Sequence, residues 1–521
     1  MAAPASKDRA VVIGAGIGGL SAAIDLARQG VAVTVLERAA SVGGKMRTVE
    51  SAGAAIDAGP TVLTMRDVFD SLFNDAGASL DARLTLTPLE ILARHAWSDG
   101  ARLDLFADIG RSAEAIGDFA GATEARAYRA YCARARRTFA ALEHTFVRAA
   151  RPSLPQLLWR SAPDNIGSLL GISPFSTLWR DLGKYFRNPR LQQLFARYAT
   201  YCGASPFQAP ATLMLIAHVE QAGVWTVDGG MVRLAQALET LAREKGVAFR
   251  FDAHVAEIEI SGGAARGVML RGGGRLEASA IVCNADCAAL STGAFGEAAS
   301  GAVALRNPVR SLSALTWSCL GRVRGFDLVR HNVFFSDDYE TEFDAIFRGR
   351  RLPENPTVYV CAQDRLDGSA REGDERLFCL VNAPATGDEA APDHEELETC
   401  RLKATAFMQS CGLTVEPAGP AIVTGPQEFN ALFPRTGGAL YGQATHGWRA
   451  SFQRPGSRTK IAGLYVAGGS AHPGAGVPIA AISGRLAAQA LMQDLASRAR
   501  SHRAAMPGGI STRSAMTGNS A

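Results

Sequence analysis

An apolar run, Ala10-Val11-Val12-Ile13, stops at Gly14-Ala15-Gly16-Ile17-Gly18-Gly19 and passes into Leu20-Ser21-Ala22-Ala23-Ile24-Asp25-Leu26-Ala27. The last stretch has helical composition and a small, apolar face, so the order predicted is strand, tight turn, helix. A second alternating run, Val31-Ala32-Val33-Thr34-Val35-Leu36, predicts a strand ending at Glu37. Much further along, Phe249 to Ile258 alternates, Ile281-Val282-Cys283 is a short apolar run, and Leu464-Tyr465-Val466 halts at Ala467-Gly468-Gly469-Ser470. A helix of small residues is predicted from about Ile479 to Leu491, with Pro478 in its first turn. Gly262-Gly263 and Gly272-Gly273-Gly274 separate strand-like runs and predict hairpin turns.

Length and composition narrow the class. At 521 residues the chain is long enough for two or more compact units. With 47% hydrophobic residues and a net charge of +4 it reads as an ordinary globular protein, and neither nucleic acid nor an acidic partner is indicated. No run reaches the roughly 18 uncharged apolar residues that a spanning helix needs. No signal peptide is expected, because glycines follow Val11-Val12-Ile13 at once. The nine cysteines are scattered without a CxxC pair, so a reducing, cytoplasmic setting and no structural metal are expected.

The first fifty residues carry the most specific chemistry. Glu37 lies 23 residues after Gly14, near the spacing at which an acid holds a ribose hydroxyl in a βαβ dinucleotide site. Gly14 permits the sharp turn, Gly16 clears space for a pyrophosphate, and Gly19 lets helix and strand approach. The phosphates would meet the positive end of the helix. No second strand–GxGxxG–helix unit occurs, so a second nucleotide site for NADPH is not expected.

Beyond Glu37, the segment Glu37-Arg38-Ala39-Ala40-Ser41-Val42-Gly43-Gly44-Lys45-Met46-Arg47 resembles the extended FAD fingerprint of the amine oxidase and carotenoid desaturase superfamily. Ile56 to Thr64 resembles the family's strand beside the flavin ring. Leu464 to Pro478 resembles the flavin-closing motif of bacterial carotenoid desaturases, and Phe433 to Trp448 also resembles that family, as its most specific stretch. The resemblance extends over nearly the whole chain. It implies an α/β fold: a discontinuous Rossmann-like FAD-binding domain (1–75, 223–300 and 420–497) with an inserted α+β substrate domain (76–222 and 301–419). The turn at Gly229-Gly230 would join the two, and a tail at 498–521 is expected to be disordered. FAD would be held by Gly14, Ala15, Gly16, Gly19, Glu37, Arg38, Gly44, Lys45, Val255, Gly469, Ser470 and Val477. His446 and His472 are expected to position backbone or flavin rather than to titrate.

Arg197 to Pro206, Val219 to Trp225 and His331 to Ser336 are similar to the 1-hydroxycarotenoid 3,4-desaturase branch. This implies FAD-dependent dehydrogenation of an acyclic carotenoid at C3–C4, with oxygen or a quinone accepting the electrons. Phytoene desaturation is the alternative within the family, and an amine oxidase or a non-catalytic flavoprotein lies further away. Glu220, Asp228 and Asp338 are candidate bases, and none is chosen. Moving a forty-carbon polyene through water would cost on the order of 30 kcal/mol as an upper bound, so the substrate is expected to come from lipid. Residues 126 to 190 hold twelve Arg/Lys against three acids, interleaved with Leu157, Leu158, Trp159, Leu169, Leu170 and Trp179. That pattern suits peripheral contact with an anionic membrane surface.

Overall fold

A computed structural model describes residues 8–152, 175–305, 309–366, 368 and 371–504. The apolar runs read from the sequence come together in one five-stranded parallel sheet, in the order Leu464–Val466, Ala280–Cys283, Arg9–Ile13, Ala32–Leu36, Ala248–Arg250. Arg9–Ile13 beyond its first residue, Ala280–Cys283 and Leu464–Val466 are buried on both faces, which is why they read as continuous apolar runs, whereas Ala32–Leu36 alternates. The helix Ile17–Ala27 has ten of its residues buried, because it packs against Val232–Glu244 and Val477–Ala504 as well as the sheet. Its contact with Val477–Ala504 is backbone to backbone: a Cβ on Gly484 would lie 2.0 Å from the Gly18 carbonyl oxygen. Asp25 on the first helix also pairs with Arg485 on the last at 3.0 Å.

Both predicted hairpin turns are present, between Val255–Ser261, Ala264–Leu270 and Arg275–Glu277, which form a three-stranded antiparallel sheet. An eight-stranded sheet is assembled from distant segments, running Thr414–Pro417, Ser313–Arg324, Glu375–Ala383, Val358–Ala362, His331–Phe334, Ile91–Ala96, Arg102–Phe106, with Ile422–Thr424 also paired to Ser313–Arg324. Helices Ile109–Ala120, Ala122–Leu142, Pro189–Ala196 and Leu215–Gln221 pack around one aromatic core with Tyr128, Tyr131, Phe186 and Phe195.

Two elements cross expected boundaries. Ile422–Thr424, just past the expected boundary at 420, pairs with Ser313–Arg324 in the eight-stranded sheet, where its backbone groups find partners. The last helix runs through Ala504, past the expected tail start at Arg498, in keeping with the helix propensity of its Ala and Arg residues; residues 505–521 lie outside the described residues.

The basic stretch is less free than its composition implies. Arg134 and Lys184 pair with Asp181, Arg148 with Asp67 and Glu143, and Arg190 with Asp99. Leu157, Leu158, Trp159, Arg160, Leu169 and Leu170 lie outside the described residues.

Candidate active site

Ten of the twelve residues expected to hold a nucleotide line a single cavity of about 1620 Å³: Gly14, Gly16, Glu37, Arg38, Gly44, Lys45, Val255, Gly469, Ser470 and Val477. The other two support it from behind. The Ala15 amide donates to Glu37 Oε2 at 2.6 Å, and a Cβ on Gly19 would sit 2.1 Å from the Gly14 carbonyl oxygen. Gly14 has φ +94°, a conformation that L side chains rarely adopt. Pockets for one small ligand run to about 1,000 Å³, so this cavity has room for a cofactor and a second molecule.

The nucleotide end is built for an anion and a sugar. No side chain caps the helix Ile17–Ala27 and its first turn holds no acid, so its amide groups lie open beside the glycines that line the cavity. Gly16 and Gly44 face each other, with a Cβ on Gly44 only 3.3 Å from the Gly16 Cα. Glu37 also accepts from the Ala39 amide at 2.8 Å, which fixes its carboxylate at the cavity wall. The glycine cradle, open helix end and fixed carboxylate fit a dinucleotide.

Lys45 and Arg47 both line the cavity and are half-buried. Lys45 Nζ donates to the Leu440 carbonyl and lies over the Phe433 ring at 5.2 Å, while Arg47 donates to Thr424 Oγ1 at 3.1 Å. Burial holds the Lys45 ammonium below its usual range, with Asp286 opposing the shift. Arg38 donates to the Ala431 and Leu432 carbonyls. These cations therefore bind the fingerprint to the closing segment 424–440.

Two residues that sequence reasoning passed over organise the centre. Asn284 follows the strand Ala280–Cys283, and its amide group touches the positions a Cβ would take on Gly16, Gly18 and Gly468. In sequence it is one polar residue after the run Ile281-Val282-Cys283, and only the fold reveals that three glycines converge on it. Arg454 is 3% exposed, lines the cavity and donates to the carbonyls of Tyr441, Gln443 and Gly469. Burial lowers its pKa, with Cys202 and Asp286 opposing. In sequence it looks like any surface arginine.

Both histidines hold backbone, as expected. His446 Nε2 accepts from the Ser205 amide at 3.0 Å, and burial depresses its pKa to about 4, so it is neutral at pH 7. His472 Nε2 donates to the Phe146 and Ala149 carbonyls, and burial again depresses its pKa to about 4. Of the three candidate bases only Glu220 reaches the cavity. Asp228 is exposed, and Asp338 is an exposed N-cap whose carboxylate accepts from the Thr341 amide. The cavity continues from the nucleotide end over apolar side chains, among them Val62, Leu213, Ile216, Val219, Val333 and Leu380.

The profile of the family described as flavin containing amine oxidoreductase matches residues 17–492. A hydroxyneurosporene desaturase of Rubrivivax gelatinosus is 53% identical, with all of both chains covered. A protein of the same name from Cereibacter sphaeroides is 47% identical over 94% of this chain and 99% of its own. A zeta-carotene-forming phytoene desaturase of Myxococcus xanthus is 31% identical over 94% of this chain and 95% of its own. Among solved structures, an oxidoreductase from Methanosarcina mazei matches with TM-score 0.56 at 17% identity, covering 93% of this chain and all of that one. A putrescine oxidase variant matches with TM-score 0.57 at 14% identity, covering 94% and 99%. These two likenesses concern the fold.

Proposed function

Because the chain belongs to the flavin-containing amine oxidoreductase family, we propose that it desaturates an acyclic carotenoid at C3–C4, next to a C1 hydroxyl or methoxy group. The protein is an oxidoreductase whose cofactor, FAD, supplies when bound the two-electron acceptor for removing hydrogen from adjacent carbons. The observation that carries the reading is the continuity of one cavity from the glycine cradle at Gly14–Gly18 and Gly468–Ser470 into a long apolar extension. The names of its 53% and 47% identical relatives support the same substrate class.

In this reading, the twelve residues named above hold the nucleotide and flavin, with Glu37 toward the ribose and the open helix end toward the phosphates. The start of the helix Val477–Ala504, where Val477, Pro478 and Ile479 line the cavity, directs partial positive charge at the redox end. The apolar walls align the polyene and exclude water. The substrate enters from a membrane surface on the cytoplasmic side. Phe175, 79% exposed, meets Trp448 at 5.4 Å, both line the cavity, and Arg449 stacks on Trp448. An exposed phenylalanine on a half-buried tryptophan beside a cation suits the lipid interface. No helix among the described residues is long and apolar enough to cross a membrane, so the contact proposed is peripheral. Oxygen or a quinone takes up the electrons.

The test is to give FAD-loaded protein 1-hydroxyneurosporene, neurosporene and phytoene in separate liposomes and to read product spectra. A red-shifted product from the hydroxylated substrate supports the reading. Conversion of phytoene alone would replace it with phytoene desaturation.

A further inference from the structure

Beyond the glycine-lined end with its own charged groups, the cavity wall carries a further polar cluster, formed by Thr61, Arg197, Tyr201, Glu220 and Tyr359. Arg197 is 6% exposed and Glu220 3%. Arg197 Nη1 donates to Tyr201 Oη at 2.7 Å, Tyr201 Oη donates to Glu220 Oε1 at 2.8 Å, and Tyr198 Oη donates to Glu220 Oε2 at 2.5 Å. Two phenols thus engage the carboxylate. The guanidinium approaches it only through Nη2 at 3.8 Å, beyond hydrogen-bond distance.

Arg197 therefore keeps donors in reserve. Its Nε and Nη2, and Nε2 of His331, are buried without a hydrogen-bond partner among the described residues. The other ring nitrogen of His331 bonds Tyr359 Oη at 2.7 Å, and Tyr359 Oη bonds Thr61 Oγ1 at 2.6 Å. A small second cavity of about 10 Å³ lies among these groups, sharing Val62, Arg197, Tyr201, Glu220 and Tyr359 with the large one. That is close to the room one oxygen-sized group needs. A buried polar group left unpaired is costly, and more so on a cation. Three such atoms around one small space mark a site that an incoming oxygen completes.

Resting on the carotenoid reading above, we propose that this cluster seats the oxygen at C1 of the substrate, with Arg197 as its donor, and so selects oxygenated over plain carotenoid ends. An alcohol and a methyl ether both accept from Arg197, which accounts for either end group. An alcohol can in addition donate to Tyr201 Oη. C1 is two bonds, about 2.5 Å, from C3, so holding the oxygen places the reacting carbons. Thr61, two residues after Gly59, ties the cluster to the segment that lines the cavity beside Lys45. Arg197 and Tyr201 are thus positioning residues that set specificity.

The test measures equilibrium binding of 1-hydroxyneurosporene and neurosporene in detergent micelles, using holoprotein with chemically reduced flavin so that nothing turns over. The wild type is expected to prefer the hydroxylated compound by roughly tenfold or more, and Arg197→Gln to abolish the preference. Tyr201→Phe, which keeps the ring and serves if the arginine variant does not fold, lowers the preference roughly threefold to tenfold. General structural damage would weaken both ligands alike and leave the ratio intact. A ratio unchanged in both variants means an ordered water only and overturns the proposal. So does a wild type that binds both compounds equally while still desaturating them. A wild type that binds and converts neither carotenoid removes the functional reading itself.

Discussion

The Glu37 carboxylate accepts a hydrogen bond from the Ala15 amide at 2.6 Å, which joins the end of the strand Ala32–Leu36 to the glycine turn after Arg9–Ile13. The same carboxylate lines the cavity where a ribose would lie. Replacing Glu37 by Ala removes charge-assisted hydrogen bonds worth about 1.5–3 kcal/mol, so FAD affinity is expected to fall roughly tenfold to a hundredfold. Fluorescence titration of the apoprotein measures it, and an unchanged Kd would contradict the assignment.

Gly19 and Gly262 give a contrasting pair. A Cβ on Gly19 meets the Gly14 carbonyl at 2.1 Å, so the backbone must shift, whereas Gly262 has open space and only its φ of +60° to oppose a side chain. Gly262→Ala is expected to cost about 1–2 kcal/mol and to keep its flavin. Gly19→Ala is expected to lower Tm more and to emerge from purification depleted of flavin. Absorbance ratios and thermal melts of the two variants test this, and equal behaviour would contradict it.

What was legible in the sequence was local. Strand, glycine turn and helix between Arg9 and Ala27 announce themselves because each signal, burial pattern, positive φ and small helix face, acts within a few residues. The hairpins at Gly262-Gly263 and Gly272–Gly274 were readable for the same reason. The eight-stranded sheet was not, since its one parallel pair joins Ile91–Ala96 to His331–Phe334 across more than two hundred residues. At the site, the glycines and Glu37 were found by spacing. Asn284 and Arg454 were missed because their importance lies in which distant backbone they touch. Arg197 stood within a recognised segment, but its spare donors appear only once Glu220 and His331 are folded beside it.

Glu342 should make stability depend on pH. It is 2% exposed, and burial raises its pKa to about 7, against the hydrogen bonds donated by Thr357. A carboxyl whose folded pKa exceeds its unfolded value of about 4.3 favours the folded state while protonated. Its penalty is absent at low pH, grows between about pH 4.3 and 7, and is complete above that. Glu342→Gln keeps an acceptor for Thr357 and cannot ionise. The variant is expected to gain in Tm over the wild type at pH 8 relative to pH 5. A Tm difference that stays constant across that range would contradict the burial argument.

The most direct measurement follows the visible absorbance of FAD-loaded protein during anaerobic addition of 1-hydroxyneurosporene in liposomes. The account predicts bleaching of the flavin bands together with a red-shifted carotenoid spectrum, one desaturated product per flavin reduced. A flavin that stays oxidised with excess carotenoid, yet bleaches when a primary amine is added, would contradict it.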